Sequence, residues 1–101
     1  MIAAFRLLAR YGVSVAFADL GTWGSAELRS EYDPCGPAIR LNARVAARLG
    51  PDEFTRFVAT AIGHELYHHR ECIGEIGVIA NRTERERAAE RFALDLADPH
   101  R

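Results

Sequence analysis

The chain predicts an α+β fold, on three observations: amphipathic helical periodicity at both ends of the sequence, short β-branched or alternating segments in the first half, and a Gly, Pro or Asx signal at most of the junctions. Residues 2–11 read as a helix with Ile2, Phe5, Leu8 and Ala9 on one face, ended by Gly12. Residues 13–17 are β-branched and short, which predicts a strand. Over residues 26–32, Ala26, Leu28 and Ser30 alternate with Glu27, Arg29 and Glu31; a turn at 33–37 then leads into 38–42, where Ile39 and Leu41 alternate with Arg40. These segments make a small three-stranded sheet. Asn42 can cap a short helix over 43–49, which Gly50-Pro51 stops, and a long helix follows over 52–71 with acidic residues in its first turn. Residues 73–80 carry Gly74 and Gly77 and read as an irregular segment over whatever site the long helix holds. A last helix runs over 83–97 and is closed by Pro99.

With 101 residues the chain supports one core and a single domain, residues 1–101, too short for a catalytic domain plus a separate recognition domain. Hydrophobic residues are 49% and charged residues 27%, and no stretch approaches the roughly twenty apolar residues of a membrane span. The apolar start is short and broken by Arg6, with no small-residue cleavage site, so a core helix is expected there and a cytoplasmic location for the protein. A net charge of −1 with interleaved signs offers no footprint for nucleic acid or anionic lipid. Two cysteines without a secretion signal are expected to be free thiols, and Cys35, between Pro34 and Gly36, reads as a turn residue.

The chemistry concentrates in His64-Glu65-Leu66-Tyr67-His68, an H-E-x-x-H pattern inside the long helix. Histidines four apart rise one turn above each other on one face and can grip one metal ion, zinc being the usual partner; Glu65, one step round, sits beside that ion, where a carboxylate can take a proton from a metal-bound water. Chance alone produces the pattern in roughly one or two chains in a hundred of this composition, so context has to carry it. Phe54, Phe57, Val58, Ala61 and Ile62 form an apolar stripe, and the next places along it are His64, Glu65, His68 and, at its edge, His69, while Gly63, Tyr67 and Arg70 fall on the opposite side. Buried carboxylates and imidazoles are costly unless paired or bound to metal, so polar groups on a core-facing stripe point to a ligand.

A catalytic zinc site needs a third protein ligand. A third His six residues past His68 is absent, and the remaining pool is Glu71, Glu75, Glu84, Glu86, Glu90, Asp95, Asp98 and His100. In the last helix Ala89, Phe92, Ala93 and Leu96 make the buried stripe; Glu86 lies on its flank and Glu84 points away, which makes Glu86 the best-placed ligand. The same residue could instead complete a capping box with Thr83. Glu90 could be a solvated flank carboxylate, and Tyr67 or His69 could assist the oxyanion.

His64-Glu65-Leu66-Tyr67-His68-His69, followed by the run from Thr83 to Pro99, resembles the ImmA/IrrE family of zinc metallopeptidases over about half the chain. The resemblance implies a minimal zincin-like domain whose last helix supplies the third ligand: zinc as cofactor on His64, His68 and Glu86, and Glu65 as general base. At Glu90 the family usually has Asn or Asp holding a ligand histidine; a longer carboxylate stands here. The implied activity is hydrolysis of a peptide bond in a protein substrate, a helix-turn-helix transcriptional regulator being one candidate, with zinc-bound water as nucleophile. A peptide would add to an edge strand of the sheet. The rival expectation is a non-catalytic zinc-bound module that partners a regulator or toxin. Glu65 discriminates, because a structural zinc site needs no base beside an open position.

Overall fold

A computed structural model describes residues 2–23 and 26–98; Pro99 and His100, named above as helix stop and candidate ligand, lie outside the described residues. The elements, in order, are α1 (Ile2–Tyr11), β1 (Ser14–Ala18), β2 (Thr22–Trp23), β3 (Ala26–Glu27), β4 (Ser30–Asp33), β5 (Ala38–Asn42), α2 (Ala43–Ala46), α3 (Pro51–Cys72) and α4 (Arg82–Ala97). The fold is α+β: four helices and a mixed three-stranded sheet in the order β1-β5-β4, with β1 parallel and β4 antiparallel to β5. No helix among the described residues is long and apolar enough to cross a membrane.

Three expectations for the first half are corrected. The segment 26–32 is not one strand. It breaks at Leu28-Arg29 into β3, which pairs with β2 in a two-stranded ribbon, and β4, which joins the sheet. The cause is Asn42, fully buried, whose Nδ2 donates to the Leu28 carbonyl at 2.6 Å while its backbone N–H donates to the Arg29 carbonyl at 2.9 Å. Its Oδ1 accepts from the Arg44 backbone N–H at 3.0 Å, so the residue that caps α2 also bends the strand. On α1 the core face is Ala4 and Leu8 with the partly buried Leu7 and Tyr11; Ile2 and Phe5 are exposed, as is Ala9. Both sets satisfy helical spacing, and contact with α3 selects between them. The α2 helix is shorter than 43–49 because its end tightens into i→i−3 hydrogen bonds, Arg48 to Val45 and Leu49 to Ala46, before Gly50-Pro51.

Helix α3 is central. Leu8, Ile39, Leu41, Val45, Phe57, Val58, Ile62 and Leu66 form one core around it. At its C-terminus Gly74 adopts φ +76°, and the Glu75→Arg70 and Gly74→Glu71 backbone bonds close a Schellman motif. Against α4 its apolar face differs from the expected single stripe: Gly63 and Tyr67, expected on the far side, are buried too. A Cβ built on Gly63 would lie 2.8 Å from the Ala93 Cα, so only glycine permits this approach, and Ala89 and Ala93, both fully buried, keep α4 equally slim. Tyr67 packs beside Phe92, its ring centroid 6.2 Å away.

Candidate metal centre

Strand β4 runs along α3 in register. The Ser30 hydroxyl donates to Glu65 Oε2 at 2.6 Å and the Tyr32 hydroxyl shares a 2.7 Å hydrogen bond with His69 Nδ1. Two residues of strand advance about 6.6 Å and four residues of helix about 6 Å, so alternate strand residues meet successive helical turns. Glu65 and His69 therefore form the β4-facing row of α3. His64 and His68 form the neighbouring row, turned toward α4.

On that row the two imidazoles converge with Glu86. His64 Nε2 is 3.0 Å from Glu86 Oε2 and His68 Nε2 is 3.6 Å from Glu86 Oε1. One donor atom from each of the three residues lies within 4.8 Å of the others. An ion held tetrahedrally about 2.1 Å from each of two ligands would separate those ligands by about 3.4 Å, a value the two measured distances bracket. Two neutral imidazole nitrogens and one carboxylate also suit zinc, so the donor set fits the ion in chemistry and spacing, though other divalent ions favour similar sets.

The Nδ1 atoms face the other way, toward two further carboxylates. His68 Nδ1 is 2.8 Å from Glu71 Oε1, and Arg85 donates to Glu71 through Nε and a terminal nitrogen, both at 2.9 Å. The Arg85 guanidinium, followed by His68, holds the Glu71 carboxyl below the usual carboxylate range even though burial opposes this. His64 Nδ1 is 3.6 Å from Glu90 Oε2, too far for a hydrogen bond, and the Glu90 side chain is 57% exposed.

Glu65 is buried at 6% exposure and lines, with His64, Ser30 and Thr60, a cleft of about 240 Å³. Glu86 is not a capping residue: the N-cap of α4 is Asn81, whose side chain accepts from the Glu84 N–H at 3.0 Å, so the capping-box alternative fails by two residues. Glu71 and Glu75 stand outside the three-residue cluster, Glu75 bonding Tyr11 and Arg70 instead. None of residues 73–80 lines the cleft beside His64 and Glu65, so the segment does not cover the site as expected. His69 is buried between the rings of Tyr11 and Tyr32, and burial lowers its pKa. Burial, aided by a hydrogen bond with Cys72, pushes the Tyr32 hydroxyl up to about 12. Cys35 and Cys72 are free thiols and exposed. Sequence reasoning missed the Glu71–Arg85 pair and Ser30. For the former a signal existed, since His68 and Glu71 are three apart on a helix and share a face. Comparison with protein-family models, curated proteins and solved structures gives no match to this chain.

Proposed function

We propose that this protein is a zinc-dependent peptidase of the zincin kind, similar to the ImmA/IrrE metallopeptidases, that cleaves a peptide bond in a protein substrate, with a transcriptional regulator as the candidate target. The observation that carries the reading is the convergence of His64 Nε2, His68 Nε2 and the Glu86 carboxylate, with a separate buried carboxylate, Glu65, lining an open cleft together with His64. Zinc held by His64, His68 and Glu86 would supply a water of lowered pKa and polarise the peptide carbonyl.

The chain's own residues do the rest. Ser30, donating to Glu65 Oε2, fixes the plane of that carboxylate, and the carboxylate accepts the water's proton and returns it to the departing amine. Strand β4 is an edge of the sheet and carries Ser30, so an extended peptide adding to that edge would pass the Glu65 carboxylate.

Glu65→Gln tests the proposal. The amide keeps the size of the side chain but cannot take a proton at neutral pH, so zinc content and fold should persist while peptide cleavage falls at least ~100-fold. The assay uses purified protein, a broad peptide library and a chelator control. Undiminished, chelator-sensitive cleavage by the variant would refute Glu65 as the base. A wild type that holds one zinc per chain yet cleaves nothing, while binding a regulator or toxin partner, would favour a non-catalytic zinc module.

A further inference from the structure

The two histidines of the cluster are held differently. A carboxylate can only accept, so the 2.8 Å contact places the proton of neutral His68 on Nδ1 and leaves the Nε2 lone pair directed toward Glu86. The accepting group is itself immobile: the Glu71 side chain is 3% exposed and two parallel bonds from Arg85 grip both of its oxygens. Arg85 precedes Glu86 in α4, and Glu71 follows His68 by three residues in α3. One ion pair thus ties together, at the same level of the helix pair, the segment bearing a histidine and the segment bearing the carboxylate that meets it. His64 has no such support, since Glu90 stands 3.6 Å away and is exposed.

We propose that Glu71 and Arg85 are positioning residues for the metal centre: Glu71 selects the Nδ1–H tautomer and ring orientation of His68, and Arg85 holds Glu71 in place while setting the register of α4 that brings Glu86 to the histidines. The inference rests on the metal-site reading above and adds to it an unequal division of labour. His68 and Glu86 form the preorganised half of the site, and His64 is the half that adjusts. Partners that orient a ligand histidine are commonly worth 10- to 100-fold in metal affinity.

The test has two arms on the whole 101-residue chain. Imidazole ¹⁵N shifts of the metal-free protein report the tautomer of His68, and competition with a chromophoric chelator reports zinc affinity. The variants are Glu71→Ala, Glu71→Gln and Arg85→Ala, with Arg91→Ala, at an exposed position on α4, as control. Wild type should show His68 protonated on Nδ1. The Glu71 variants should show a mixture of tautomers and zinc binding weaker by ~10- to 100-fold, with His64 unmoved. Arg85→Ala should weaken zinc to a similar extent. Variants that lose thermal stability but keep the wild-type tautomer and affinity would overturn the proposal, leaving the pair a helix-to-helix staple. A wild type that takes up no zinc would instead overturn the metal-site reading, a result told apart because the tautomer arm needs no metal.

Discussion

Replacing Gly63 with alanine sets two effects of opposite sign against each other. Alanine in a helix interior gains about 1 kcal/mol over glycine. Against that, the new Cβ would stand 2.8 Å from the Ala93 Cα and 3.1 Å from its Cβ, the first a backbone atom that cannot rotate aside. Reaching ordinary contact near 3.4 Å requires α4 to retreat by about 0.6 Å, and overpacking of this kind costs about 1–3 kcal/mol. The clash should therefore cancel or exceed the helical gain. The consequence for the site is sharper. Glu86 lies seven residues before Ala93 on the same face of α4, about 10 Å along a rigid helix, and metal–ligand distances tolerate only about 0.2 Å. Gly63→Ala should weaken zinc at least ~10-fold while the chelator-treated protein melts no higher than wild type. Thermal melts with and without chelator, beside competition measurements of zinc affinity, make the check. A variant that melts about 4–8 °C higher, as the helical gain alone would give, and binds zinc as wild type does would refute the close-packing argument.

Glu86→Gln should lower zinc affinity far more than Glu84→Gln, because Glu86 meets both Nε2 atoms while Glu84 is exposed at the start of α4; equal losses by chelator competition would move the third ligand elsewhere. Ser30→Ala removes the hydroxyl bonded to Glu65 and should slow cleavage by about 10- to 150-fold, the rate equivalent of one hydrogen bond to a charged group, without altering zinc content; an unchanged rate would mean that Glu65 needs no such support. Tyr32 should titrate near 12 by ultraviolet absorbance. Because its folded pKa lies above its unfolded value of 10, its contribution to stability is complete below pH 10 and disappears as pH rises toward about 12; Tyr32→Phe should flatten stability over that window, and an unaltered slope would show that other groups control it.

The H-E-x-x-H helix could be found from sequence because its chemistry is local: spacing alone places His64 above His68 and sets Glu65 one step round. Strand β5 and helices α1, α3 and α4 were legible for the same reason, each carrying its own periodicity and punctuation. Glu86 was reachable because the buried stripe of α4 is periodic, yet its rival role as a capping residue could be dismissed only once Asn81 was seen at the helix start. Other features belong to no single segment. The break at Leu28-Arg29 depends on Asn42, fourteen residues from Leu28; the bond from Ser30 to Glu65 spans thirty-five; and Arg85 reaches Glu71 across fourteen. The choice of Ala4 beside Leu8, in place of Ile2 and Phe5, and the burial of Gly63 against Ala93, likewise depend on which neighbour arrives. A sequence by itself determines what each segment can present, since backbone geometry fixes the period of its side chains; only tertiary structure decides which of the faces so presented meet, because burial and hydrogen bonding between distant segments select among patterns that are locally equivalent.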